Sequence, residues 1–171
     1  PRSTLFPYTT LFRSGLAAIA ASGSFRTPAV VGVGTSDTHA FLILEHIALR
    51  PVRENTDARA FGDALAQLHR SAHEHFGWRR DNYLGASPQR NAQTDNWSRF
   101  LIEQRFRPQF EHARSLGHGG ELQRLGGILL ERIPALFLEY RPLPSLLHGD
   151  LWHGNAGIDD QGRPTVFDPA V

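Results

Sequence analysis

The chain has 171 residues, 40% hydrophobic and 20% charged, which suits a globular fold with its own core and excludes disordered, collagen-like and small disulfide-stapled classes. Its 18 basic and 17 acidic residues leave a formal charge of +1, too little for a nucleic-acid or anionic-membrane binder driven by bulk charge, and no apolar run approaches the roughly 20 residues of a membrane-spanning helix. All the cations are arginine and there is no cysteine, so lysine-ammonium and thiolate chemistry are closed to these residues, and the absence of cysteine fits a cytoplasmic setting while leaving the compartment open.

Residues 1–14, PRSTLFPYTTLFRS, hold no acid, no helical period and no signal-peptide architecture, and read as a non-native leader. With no Met in the chain, Pro1 is not a translation start, and the expectation is a processed chain or a fragment. Leu16 to Ala21 is a short helix former closed by Ser22-Gly23. Ala29 to Val33 and Phe41 to Glu45 are apolar, partly β-branched runs around Gly34-Thr35-Ser36-Asp37, the pattern of two neighbouring strands. Thr56-Asp57 offers a cap and a first-turn acid, and Ala58, Phe61, Leu65, Leu68 and Ala72 mark one face of an amphipathic helix. Phe76 to Gln93 reads as a long polar loop. Thr94-Asp95 caps a helix carrying Trp97, Leu101 and Phe106 and interrupted at Pro108. A further helix starts at Glu121, with Leu122, Leu125, Leu129 and Ile133 as its apolar stripe and Pro134 at its end. Asp159-Asp160-Gln161-Gly162 is a turn signal, and Thr165-Val166-Phe167 the return strand of a hairpin.

Chemistry concentrates in His148-Gly149-Asp150-Leu151-Trp152-His153-Gly154-Asn155, followed by Phe167-Asp168-Pro169. An Asp and an Asn five apart, with a second Asp on the far side of a hairpin, suit phosphoryl transfer from ATP: the first Asp orients the acceptor hydroxyl, while Asn155 and Asp168 hold Mg²⁺ against the triphosphate oxygens. His148 suits a hydrogen-bonding role that fixes the loop, and Trp152 a packing anchor. Two other readings compete. His148, Asp150 and His153 could form the metal triad of a hydrolase, which leaves Asn155 and Asp168 unexplained. His69 and His73, spaced i, i+4 with His75 nearby, could share a metal but lack a third ligand, so a solvated helix end is expected.

The H-G-D-x-x-x-G-N pattern with its downstream Asp resembles small-molecule kinases of the aminoglycoside and choline type, which are related to protein kinases. Trp152 and the Asp168-Pro-Ala-Val171 ending bring it nearer the fructosamine (ketosamine) kinase family. Phe41-Leu-Ile-Leu-Glu-His46, Phe76-Gly-Trp-Arg-Arg-Asp-Asn82, Asn96-Trp97 and Gln104-Arg-Phe-Arg-Pro-Gln109 support that resemblance over about residues 15–171. It implies an α+β, partial protein-kinase-like fold, with 15–47 as small-lobe remnant and hinge and 48–171 as a truncated helical catalytic lobe. It further implies Asp150 as catalytic base, Asn155 and Asp168 as Mg²⁺ ligands, and the backbone of Glu45, His46 and Ile47 as the adenine-binding hinge. The implied cofactors are ATP and Mg²⁺, and the implied partner is a small-molecule or protein-bound ketosamine, with no nucleic acid and no membrane. The family's glycine-rich phosphate loop, strand lysine and helix glutamate have no counterpart here. Gly32-Val33-Gly34 lacks a third glycine, so an inactive fragment or a noncatalytic pseudokinase is also in view.

Overall fold

The computed structural model describes residues 6–37, 39–85 and 87–171, with side chains from Arg13 onward. The described chain divides into two compact units. The first combines residues up to Ala72 with 82–84 and 145–171. It contains α1 (Phe6–Ala21), β1 (Val30–Thr35), β2 (Ala40–Leu44), α2 (Asn55–His69) and β3 (Asn82–Leu84). Helix α1 begins ten residues before the Leu16-to-Ala21 stretch expected to be helical, so Phe6 to Ser14 continue one helix with it. Residues 1–5 of the expected leader lie outside the described part.

The β1–β2 hairpin forms where the apolar runs place it, antiparallel, with Gly32 opposite Ile43 and Gly34 opposite Phe41. Helix α2 starts one residue before the expected cap, at Asn55. Asp57 stands in the first turn, as expected. It is buried, and its carboxylate accepts hydrogen bonds from both terminal nitrogens of Arg50, one of them at 2.9 Å. That guanidinium holds the Asp57 carboxyl below the usual carboxylate range against the opposing pull of burial.

A second hairpin, β5 (Ala156–Ile158) and β6 (Pro164–Val166), pairs Ala156 with Val166 and Ile158 with Pro164. Two outside segments extend it. Arg26 lies parallel beside β6, its N–H donating to Pro164 O at 2.9 Å while Val166 N–H donates to Arg26 O at 3.0 Å. Arg50 lies antiparallel beside β5 and exchanges two 2.9 Å bonds with Ile158. With both edges paired, the hairpin becomes the middle of a small sheet. Ile158 and Val166 are completely buried there, contributing roughly 2–3 kcal/mol each from apolar area removed from water.

The second unit, residues 73–81 and 85–144, is mainly helical. After β4 (Ser87–Gln89) come α3 (Trp97–Phe100), a wide π-type segment at Leu101–Phe106, α4 (Arg107–Ser115), α5 (Glu121–Arg132) and a 3₁₀ segment at Ile133–Phe137. The cap of α3 is Asn96, two residues past the expected Thr94, and its side chain accepts from Arg99 N–H at 2.8 Å. Pro108 does not break the helix. It sits in the first turn of α4, where its missing N–H costs least, and the π-type segment absorbs the change of winding before it. Phe76, Trp97, Phe100 and Phe137 form its aromatic centre.

The stretch from Phe76 to Gln93, expected as a polar loop, is closed by an antiparallel bridge between Phe76 and Thr94. Within its second-unit part, Asn91 is almost completely buried. Its N–H donates to the Asp81 carboxylate at 2.7 Å, and its side-chain oxygen accepts from Arg105 at 2.8 Å. Arg105 also lies over the Phe100 ring at 4.5 Å, and burial lowers its pKa to about 10.

Candidate active site

The expected site residues converge at one end of the β5–β6 hairpin. The loop before β5 carries Asp150 and Asn155, and the segment after β6 carries Asp168. Asn155 is buried, and its side-chain nitrogen donates to the Asp150 backbone carbonyl at 2.9 Å and to the Asp150 carboxylate at 3.2 Å. Its backbone carbonyl accepts from Phe167 N–H at 3.1 Å, which fixes the residue before Asp168. Because the amide nitrogen is committed to Asp150, the Asn155 amide oxygen is left as a neutral oxygen donor.

His148 organises the rest. It is 2% exposed, its Nδ1 accepts from Asp150 N–H at 3.3 Å, and its Nε2 therefore carries the proton and donates to Phe167 O at 3.0 Å. Burial lowers its pKa, consistent with a neutral ring whose two nitrogens are both engaged. The His148 carbonyl in turn accepts from Ala170 N–H at 2.8 Å. Gly149 has φ +83, and a Cβ there would come within 2.2 Å of Ala170 O, so only glycine lets the loop pass this close to the segment after Asp168. The sequence flagged Gly149 only as part of the motif.

Asp168 has φ +59, the one positive φ of a non-glycine residue among those described. Partial desolvation and then the negative charge of Asp150 push its carboxyl above the ordinary carboxylate range, while His148 works the other way. The Asp168 carboxylate, whose ionisation is opposed by burial and by the nearby Asp150 charge, and the uncommitted Asn155 amide oxygen are hard-oxygen donors. The arrangement fits Mg²⁺, which would relieve that repulsion.

Two competing readings, the hydrolytic triad and the shared-metal histidines, and the expected packing role of Trp152 do not survive the geometry. The hydrolytic triad of His148, Asp150 and His153 fails because both His148 nitrogens are occupied and because no group of three His, Cys, Asp or Glu among the described residues could hold a metal. The His69, His73 pair never shares a helical face, since α2 ends at His69; His73 lies against Trp78, and His75 Nδ1 pairs with Asp95. Trp152 is no packing anchor. It is 53% exposed, edge-on to His153 at 4.6 Å, with its ring lying over Gly154. A further residue was read only as a turn signal. Asp159 is buried, accepting from Gln161 N–H, Arg163 N–H and the Arg163 guanidinium at 2.8–3.0 Å; these bonds hold its pKa down although burial opposes them.

The Glu45 to Ile47 segment follows β2. Glu45 N–H donates to Ala29 O at 2.8 Å, and its carboxylate accepts from Ala29 N–H at 2.9 Å and from Arg26. Those bonds lower its pKa. The Glu45 carbonyl and the peptide groups of His46 and Ile47 take no hydrogen bond among the described residues.

The family model of fructosamine kinases matches residues 8–171. The chain belongs to the fructosamine kinase family. Its curated relatives include a "Probable ketoamine kinase" of Synechocystis, 36% identical over 92% of this chain and 52% of the relative, and one of Klebsiella aerogenes, 35% identical over 97% and 57%. A crystal structure of a "Putative fructosamine-3-kinase" from Haemophilus somnus superposes with a TM-score of 0.79 at 29% identity, covering 98% of this chain and 56% of that one. The chain thus spans about half the length of the relatives it matches, and its mixed helix-and-strand fold is the kinase-like one of this family. No helix among the described residues is long and apolar enough to cross a membrane.

Proposed function

We propose that these residues carry the catalytic hairpin and nucleotide hinge of an ATP-dependent kinase that phosphorylates a sugar hydroxyl of a ketosamine. The observation that supports it most is the Asn155 amide bridging to the Asp150 carboxylate while Asp168 comes up across the hairpin, within charge range of Asp150. Asp150 accepts the proton of the acceptor hydroxyl and orients its oxygen towards the γ-phosphorus; Asn155 holds that carboxylate in place. The Asn155 amide oxygen and the Asp168 carboxylate are the groups that would hold Mg²⁺. When bound, the ion neutralises charge on the phosphate oxygens. The Glu45 carbonyl and Ile47 N–H offer an acceptor and a donor to the adenine edge. In this reading residues 15–47 form the hinge side and 48–171 the catalytic lobe, in a cytoplasmic enzyme. Having no lysine to pair with the phosphates, the 171-residue chain transfers none by itself.

The test is ATP-dependent phosphorylation of a fructosyl-amine, measured for the chain alone and for a polypeptide of the relatives' full length that includes it. Asp150→Asn in the longer form is expected to lower kcat by at least about 100-fold, the lower end of what a positioned base contributes. Undiminished turnover in that variant would remove Asp150 from the role, and a longer form with no transfer at all would favour the noncatalytic reading.

A further inference from the structure

Asp168 stands in a left-handed backbone conformation that is strained for a non-glycine residue, and such a residue keeps it only where its neighbours are held on both sides. On the near side, Phe167 is fixed through its N–H by Asn155 and through its carbonyl by His148. On the far side, Ala170 N–H is held by His148. All three ties come from the catalytic hairpin itself. The remaining one comes from elsewhere in the chain. Asn82, at the start of β3 and 7% exposed, donates from its side-chain nitrogen to Val171 O across a sequence separation of 89 residues. From the other direction, Pro169 and Val171 abut α1, where a Cβ on Gly15 would lie 3.0 Å from both. The segment carrying Asp168 is thereby clamped between α1 and β3.

Asn82 touches neither the Asp150 carboxylate nor Asn155, so no step of phosphoryl transfer needs it. A buried amide that hydrogen-bonds the main-chain oxygen of Val171, three residues beyond a strained carboxylate, keeps that segment from relaxing. We propose that Asn82 is a positioning residue for the metal-binding carboxylate of Asp168. The proposal rests on the assignment of Asp168 to the metal. Without the Asn82 donor, Asp168 relaxes toward negative φ and its carboxylate moves away from Asp150 and Asn155, so the cost appears in divalent-cation affinity before it appears in folding.

The experiment titrates Mn²⁺ into the 171-residue chain, reading free Mn²⁺ by electron paramagnetic resonance, with thermal unfolding followed in parallel. Asn82→Leu, close in volume but without a donor, should weaken Mn²⁺ binding about tenfold, the lower end of what groups that orient metal ligands contribute. Asn82→Gln, which keeps the amide, should remain within about threefold of the parent. Asp57→Asn, which loosens the Arg50 pair away from the carboxylates, should lower Tm and leave Mn²⁺ affinity unchanged. Should Asn82→Leu fail to fold, Asn82→Ser carries the same two outcomes. Parent-like Mn²⁺ affinity in the Asn82 variant, with binding lost in Asp168→Asn, overturns the positioning role and leaves the metal assignment standing. Parent-like affinity in Asp168→Asn overturns both.

Discussion

Between His148 and Val171 the buried polar side chains are hydrogen-bonded, whereas between Leu122 and Leu143 many of the large apolar side chains face water. In the first stretch His148, Asn155, Asp159 and Thr165 are buried, as are Ile158 and Val166, and each of the four is bonded to backbone or side chain within the same stretch. In the second, α5 has the more regular hydrophobic period, yet Leu122, Leu125 and Leu129 stay exposed, as do Leu136, Leu138, Tyr140 and Leu143 beyond it. What α5 turns toward α4 is Gly126, against the Phe110 ring. Regular amphipathicity says that a face wants cover, while dense polar bonding says that a geometry is being held.

If that distinction is right, glycine substitutions should have opposite signs in the two stretches, and theirs are the largest effects expected. Gly149→Ala forces a side chain into a positive φ and against the Ala170 carbonyl, where the backbone has no room to give. A loss of about 3 kcal/mol or more is expected in urea unfolding. Gly127→Ala, on the exposed side of α5 with open space around it, should instead stabilise by about 1 kcal/mol through helix propensity. Equal effects of the two would erase the difference between the regions.

Next in size are truncations of apolar side chains. Ile158→Ala removes a completely buried side chain between two paired strands and should cost about 3 kcal/mol. Leu125→Gln, at 50% exposure, should stay within about 0.5 kcal/mol and improve solubility. A large loss from Leu125→Gln would mean that the α5 face is covered in solution.

How much of this was legible beforehand follows the same division. The β1–β2 and β5–β6 hairpins were readable because apolar runs and turn residues encode them locally, and Asp150, Asn155 and Asp168 could be singled out as candidates because phosphoryl-transfer chemistry restricts both residue type and spacing. The helices were readable as helices, but that the Leu122, Leu125, Leu129 stripe stays exposed was not, since a period identifies a face without saying what covers it. The π-type winding ahead of Pro108 left no sequence signal. Nor did the burial of Asn82 and Asn91, because a neutral amide in a polar run looks the same whether it is solvated or holds a carbonyl. Asp57 and Asp159 were read correctly as a first-turn acid and a turn acid, but their burial was not legible, for a related reason. Each sits where a cap or a turn would use an acid, and only the fold supplies the arginine and backbone donors that bury it.

The polar stretch should also be the one that feels acid. His148 is buried with a lowered pKa, so the folded state binds fewer protons there than the unfolded state does. Its contribution is present above the unfolded value near 6.5 and is lost as pH falls through the window below it. Asp150 and Asp168 face the ring and soften the loss by favouring its charged form. Hydrogen exchange between pH 7.5 and 5, corrected for intrinsic rates, should therefore show protection falling at 148–171 before it falls at 121–132. His148→Gln should flatten that dependence. Uniform loss across both stretches would assign the acid response to other groups.

The smallest effect expected is also the one with the least intuitive sign. Asp168 has a raised pKa, so its folded form binds a proton more readily than its unfolded form, and the sign is the reverse of that for an acid stabilised by a salt bridge. Its contribution is present at low pH and is lost as pH rises through the raised folded value, which leaves the ionised carboxylate a burden at neutrality when no cation is bound. Asn removes the charge and also tolerates positive φ better than most residues, so both changes act in one direction. Asp168→Asn should raise Tm at pH 7 in metal-free buffer and lose that advantage toward pH 3, where the carboxylate is protonated in either state. Adding millimolar Mn²⁺ should then favour the parent, because only the carboxylate gains a counter-charge. A metal-free variant less stable than the parent at pH 7 would mean that the Asp168 carboxylate makes a stabilising contact in the folded state that outweighs its burial and the repulsion from Asp150.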